Sequence, residues 1–203
     1  MNYSGIEGIY YRAILRKVIK MGQLDKLDVR ILDFGCGQGK LKEMLKGTKS
    51  KVIGYDIDKN LTDVKDWKKV RFDVVVVNSV FYLMSARDIK HTIKQMLYFN
   101  PDTIFIISFS NRGWINKLFL KLTYNNWDNT LTTPENELEI LKQQLMIEKQ
   151  ESVWELSTIF KMIKVNCKKC KGTGKIKHSM MEPWLISCPD CQKVTMKLCK
   201  KLT

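Results

Sequence analysis

The chain has no apolar run approaching the ~20 residues of a membrane span. Its first residues lack the basic-then-apolar order of a secretory signal. A soluble protein of the cytoplasm is the expectation. A disulfide framework is also missing: six cysteines occur in 203 residues, and four of them fall in two metal-type pairs. Acids are few relative to bases, 21 against 35, which leaves a formal charge of +14. That excess points to a polyanionic partner, nucleic acid first, or to lysine faces that are simply solvated. Against these absences, a hydrophobic content of 44% is enough for a globular core. The length fits one main domain and a small appendage.

The most informative stretch is Ile31 to Gly39, ILDFGCGQG. Val29 to Phe34 reads as a buried parallel strand. Gly35, Gly37 and Gly39 follow at alternate positions, and Lys40 to Lys46 reads as a helix with Leu41, Met44 and Leu45 on one face. Strand, glycine loop and helix let a ligand lie against bare backbone. A second apolar run, Val52 to Tyr55, ends in Asp56, about 20 residues after the loop, where an α/β fold uses a carboxylate to accept ribose hydroxyls. A third, Phe72 to Val77, ends in Asn78-Ser79.

Asp33-x-Gly-x-Gly-x-Gly resembles motif I of the class I S-adenosylmethionine-dependent methyltransferases, and Phe72–Ser79 resembles their motif IV. The resemblance covers roughly residues 5–165. It implies S-adenosylmethionine as methyl donor. Asp33, Gly35, Gly37 and Gly39 would hold its methionine end, Asp56 its ribose, and Asn78 and Ser79 would lie near the methyl group. Asn78-Ser79-Val80-Phe81 departs from the Asn/Asp-Pro-Pro-aromatic signature of enzymes that methylate exocyclic amino groups. No general base stands out, so the acceptor atom stays open. The stretch between Asp56 and motif IV is too short for the family's crossover helix and strand. Leu61–Val64 is expected as a vestigial strand, with Asp63 or Asp66 placed to meet the adenine amino group.

Ser4–Ile19 has the stripe of an amphipathic helix. Tyr10, Tyr11 and Arg12 would either touch the cofactor or, for the tyrosines, pack on the sheet. Ala86–Phe99 is helical by its Ile89, Ile93, Met96 and Leu97, with His91 off the stripe and exposed. Thr103–Phe109 is a strand from whose carboxyl end Ser108, Asn111 and Trp114 would project. Phe109–Trp127 is rich in aromatics, with Lys117 and Lys121 between them, which suits an acceptor insert or a packed helix. Thr133-Pro134-Glu135 starts a helix. Met146–Val153 and Ser157–Val165 form a closing hairpin. The expected fold is α/β, a Rossmann-like, mostly parallel sheet ending in an antiparallel hairpin, over residues 1–165.

Residues 166–203 read as a separate basic module. Cys167-x-x-Cys170 and Cys188-x-x-Cys191 have the spacing of a single tetrahedral zinc with four thiolates. Cys170-Lys171-Gly172-Thr173-Gly174 extends the first pair to one CxxCxGxG unit, similar to the cysteine-rich repeats of DnaJ-type chaperones. Nine lysines against two acids give the segment +7. Lys168, Lys169, Lys171, Lys175 and Lys177 would meet phosphates, or the module would dock a protein. Three functions fit: a nucleic-acid methyltransferase clamped by this module, a small-molecule or protein methyltransferase, and a non-catalytic adaptor.

Overall fold

The computed structural model describes residues 5–111, 130–165, 175–177 and 185–187. Helix α1 (Gly5–Gly22) is followed by β1 (Arg30–Phe34), the short α2 (Lys40–Met44) and β2 (Lys51–Tyr55). Strand β3 (Val74–Asn78), helix α3 (Ala86–Phe99) and β4 (Ile104–Ser110) come next. Helix α4 (Pro134–Lys142) leads into β5 (Leu145–Val153) and β6 (Ser157–Lys164). Six strands form one mixed sheet in the order β2-β1-β3-β4-β6-β5. The first four are parallel, and β6 and β5 close the sheet as an antiparallel hairpin. A separate two-stranded ribbon pairs β7 (Lys175–Lys177) with β8 (Leu185–Ser187), Ile176 opposite Ile186.

β1, β3 and β4 bury both faces because their apolar runs are continuous, as parallel sheets require. All five residues of β3 are buried. Leu32, Val75 and Val77 face Ile89, Ile93 and Met96 of α3, whereas Ile31, Val74 and Val76 join Ile14 and Val18 of α1. Both helix starts follow their side-chain chemistry. The Ser85 hydroxyl accepts the Asp88 N–H and Thr133 accepts the Asn136 N–H, with Pro134 in the first turn. His91 lies on the exposed side of α3.

The β2–β3 connection holds no helix beyond one 3₁₀ turn, Trp67–Lys69. The Trp67 ring takes the helix's place in the core, edge-on to Phe34 with centroids 6.1 Å apart and tilted against Phe72 at 6.5 Å. The strand expected over Leu61–Val64 is absent. Asp63 meets β2 instead: its N–H reaches the Gly54 carbonyl (2.9 Å), to which the Thr62 hydroxyl also donates (3.4 Å), and its Oδ2 accepts the Gly54 N–H (2.7 Å). A carboxylate here supplies the acceptor that a neighbouring strand would have offered, and it blunts an edge that would otherwise be open.

Candidate active site

Parallel pairing aligns the carboxyl ends of β1, β2 and β3, and the candidate residues gather there. The glycine loop leaves β1 through two N–H groups, Gly35 (2.7 Å) and Cys36 (3.1 Å), that share the Tyr55 carbonyl. Gly35 has φ +79°, and a Cβ built on it would stand 2.3 Å from Val80 Cγ2. Gly37 has φ +49°, but nothing lies within 4 Å of its would-be Cβ. The first glycine is required by packing; the second borders open space, the condition for close approach of a ligand.

Asp56 binds the loop directly. Its Oδ2 accepts the Gly37 N–H at 2.9 Å and its Oδ1 accepts the Asp58 N–H at 3.1 Å. A carboxylate has about four acceptor positions, so two remain for hydroxyls. Beneath it Asp33 is only 5% exposed, and no described residue donates a hydrogen bond to its side chain. Burial, then the charges of Asp56 and Asp63, push its carboxyl up to about 7. Cys36 is also buried; burial, reinforced by Asp33, Asp56 and Asp63, pushes its thiol up to about 12. Its Sγ donates to the Leu61 carbonyl at 3.4 Å. It is a neutral packing group, not a nucleophile.

Asn78 and Ser79 lie at the end of β3, tied to β4. The Ser108 hydroxyl donates to Asn78 Oδ1, and the Ser79 N–H donates to the Ser108 carbonyl at 3.1 Å. Ser79 is held at φ +53°, an uncommon conformation for a residue with a side chain. Its Oγ is buried with no hydrogen-bond partner among the described residues. Such an orphaned hydroxyl in a strained residue marks a place where a ligand would complete the set.

Other expected residues have different work. Tyr10 packs on the sheet, its hydroxyl sharing a hydrogen bond with Ser157 Oγ. Asp63 is engaged by Gly54 and by Lys42 at 2.8 Å, and Asp66 caps the 3₁₀ turn by accepting the Lys68 N–H at 3.1 Å. Of the two carboxylates expected near an adenine, Asp63 is engaged on both oxygens, whereas Asp66 spends one oxygen on the cap. Asn111 turns to the β5–β6 hairpin, its Nδ2 donating to the Glu155 carbonyl at 2.9 Å. Trp114, the aromatic segment beyond it, and Cys167, Cys170, Cys188 and Cys191 lie outside the described residues. Among the described residues no three His, Cys, Asp or Glu side chains form a metal-binding group, and no helix is long and apolar enough to cross a membrane. Ser108, expected to project from the end of its strand, holds Asn78 and Ser79 in place, while sequence reasoning missed Val80. The only signal for Val80 was the small residue it presses against.

A groove of about 680 Å³ runs along the outer side of the loop, lined by Gly37, Gln38, Lys42, Asn60 and Asp63 among others. Asn78 and Ser79 do not line it, so it is separate from the acceptor end of the site.

Residues 7–144 match the family model described as a methyltransferase domain. The chain is similar to ribosomal RNA small subunit methyltransferase A of Mesomycoplasma hyopneumoniae (strain 232), 26% identical over 125 residues, covering 61% of this chain and 48% of that protein. It thus spans about half the length of that curated relative. Among solved structures it resembles the PH0226 protein from Pyrococcus horikoshii OT3, with TM-score 0.58 and 15% identity over 81% of this chain and 94% of that one. It also resembles magnesium protoporphyrin IX methyltransferase (ChlM) from Synechocystis PCC 6803 with bound SAH, with TM-score 0.52 and 16% identity over 75% and 81% of the two chains. At these identities the structures speak for the fold. With the family model spanning most of the chain, the protein belongs to the class I S-adenosylmethionine-dependent methyltransferases.

Proposed function

We propose that this methyltransferase acts on nucleic acid, with Asp33, Gly35, Gly37, Gly39 and Asp56 holding S-adenosylmethionine and Asn78 and Ser79 lining the acceptor end. The observation that carries the cofactor assignment is the Asp56–Gly37 hydrogen bond, which joins the ribose-type acid to the glycine loop. The residues fit the ligand. The open space over Gly37 admits its backbone-facing side, and among the described residues the buried Asp33 carboxyl lacks a donor that an ammonium would supply and Ser79 Oγ lacks a partner. When bound, S-adenosylmethionine supplies an electrophilic methyl on a sulfonium. The chain's contribution is alignment, which provides most of the rate gain in such transfers. Asn78 Oδ1 is fixed by Ser108, so its amide faces the acceptor in one orientation. Phe81 is in the core rather than at the cleft, 1% exposed with its carbonyl accepting from Thr132 Oγ1. It offers no stacking surface to a base.

The charge of +14 and the similarity to a ribosomal RNA methyltransferase favour nucleic acid as acceptor. In this reading residues 1–165 form the catalytic domain and residues 166–203 a lysine-rich clamp. The clamp would hold one zinc on Cys167, Cys170, Cys188 and Cys191, with the β7–β8 ribbon lying between the two cysteine pairs in the sequence. Metal analysis of the purified protein should find one zinc per chain. Replacing Cys167 and Cys170 with serine should remove it without changing affinity for S-adenosylmethionine.

Asp56→Ala should weaken S-adenosylmethionine binding about 100-fold by calorimetry, as loss of two charge-assisted hydrogen bonds implies. Nucleic-acid binding by the wild type should fall steeply with salt. Salt-independent methylation confined to metabolite or protein fractions would replace the nucleic-acid acceptor. Absence of any affinity for S-adenosylmethionine in the wild type would sink the cofactor assignment.

A further inference from the structure

The turn joining β5 and β6 has chemistry that the site above does not use. Trp154 (φ +51°) and Glu155 (φ +57°) occupy its two central positions, and the Leu156 N–H closes it on the Val153 carbonyl at 3.0 Å. This is a type I′ turn, whose central positions favour Asn and Gly. Neither residue here is of that kind, so the backbone is strained and a large ring sits where folding alone would select a small residue. The ring is 53% exposed. It leans on Tyr10 with centroids 5.8 Å apart and planes 31° apart, and Tyr10 is itself anchored to Ser157 and tilted against Tyr11 at 5.4 Å. Asn111 braces the turn. Its N–H reaches the Leu156 carbonyl (2.8 Å), its Nδ2 the Glu155 carbonyl (2.9 Å), and its Oδ1 accepts from Thr158 (2.9 Å).

Strand pairing fixes where this ring stands. Asn78 lies opposite Ser108, and Ser110 lies opposite Ser157, the first residue after the turn and Leu156. Two strand spacings across and two residues along put Ser157 on the order of 12 Å from Asn78, with Trp154 three residues beyond it at the same end of the sheet. Helix α1, which carries Tyr10 and Tyr11, also holds Arg12, Arg16, Lys17 and Lys20 against one acid, Glu7. A braced aromatic ring beside a basic helix is the combination that receives unpaired bases on a charged strand.

We infer that Trp154 is a stacking platform for an unpaired base flanking the methyl acceptor, which makes single-stranded or looped nucleic acid the substrate. The inference rests on the nucleic-acid function proposed above and names the residue that reads strandedness. The separation from Asn78 assigns the ring to a neighbouring nucleotide and leaves the acceptor base to Asn78 and Ser79.

The test measures binding of a fluorescently labelled single-stranded RNA oligonucleotide, and of the same sequence as a duplex, to the full chain. Trp154→Ala should weaken single-strand binding about 10- to 100-fold, leave duplex binding, the salt slope and S-adenosylmethionine affinity unchanged, and be largely rescued by Trp154→Phe. Trp154→Gly should lose the same binding yet melt no lower than the wild type, because glycine relieves the turn. Equal single-strand binding by wild type and Trp154→Ala would overturn the platform while leaving the nucleic-acid function standing. Trp154→Gly melting many degrees lower would also overturn it and make the ring a packing element. If the wild type binds neither oligonucleotide, the nucleic-acid function fails and the platform with it.

Discussion

Asp33→Asn should raise the melting temperature of the ligand-free protein at pH 8 by several degrees, with little change at pH 4, and should cost most of the affinity for S-adenosylmethionine. The carboxyl is pushed from 3.8 up to about 7 by burial, with Asp56 and Asp63 adding to it. Between those values the folded state holds a proton that the unfolded chain releases. The stability this confers is fully present below pH 3.8 and is lost as the pH rises through about 7. At 1.36 kcal/mol per unit, the fall across the window is on the order of 4 kcal/mol. Asparagine has the shape of the protonated acid and does not titrate, so its curve stays flat there. For a domain of this size each kcal/mol moves the midpoint by about 2–4 °C. The same substitution removes the charge proposed to meet the donor's ammonium, so donor affinity should fall by about two orders of magnitude. Melting curves at pH 4, 6 and 8 check the first half and calorimetry the second. An equal gain at every pH would mean that Asp33 is not the titrating group.

Gly35→Ala should be among the most destabilising single substitutions in the loop, and Gly37→Ala among the mildest for folding. Both positions are left-handed, which costs a residue with a Cβ about 1–2 kcal/mol. At Gly35 the new methyl also meets Val80 Cγ2 at 2.3 Å and Cγ1 at 3.0 Å. Overpacking of that kind adds about 1–3 kcal/mol, for a total of roughly 3 kcal/mol. Val80→Ala in the same chain should recover the steric part and leave the strain. At Gly37 the methyl would enter open space, so the loss in urea denaturation should stay near 1 kcal/mol while donor binding falls at least tenfold. The reverse order, with Gly37→Ala the less stable, would mean that the loop's open side is filled by protein in solution.

Much of the fold was legible because its signals are local. β1, β3 and β4 are apolar runs buried on both faces, and the runs ending at Phe34, Tyr55 and Val77 each lie within one residue of the observed strand ends. The cap at Thr133 came from side-chain chemistry that neighbours cannot easily override. The glycine loop was readable for the same reason, as a strand-to-helix turn needs positive φ at fixed spacing, and the structure joins it to Asp56 through the Gly37 N–H. What escaped depends on partners distant in sequence. A residue count ruled out a crossover helix but did not reveal that Trp67 fills its volume. Asp63 lies in a polar stretch without period, so nothing marked it as a backbone mimic for Gly54. The left-handed Ser79 and the Val80–Gly35 contact arise from packing between two strand ends, and no pattern along either strand encodes them.

The Val80–Gly35 contact carries a mechanical consequence. The loop assigned to the donor and the segment assigned to the acceptor touch through bare van der Waals surface, with no Cβ to cushion them. A displacement of either is passed to the other without slack. Filling one half of the site should thus shift the affinity of the other half, by the same factor in either direction.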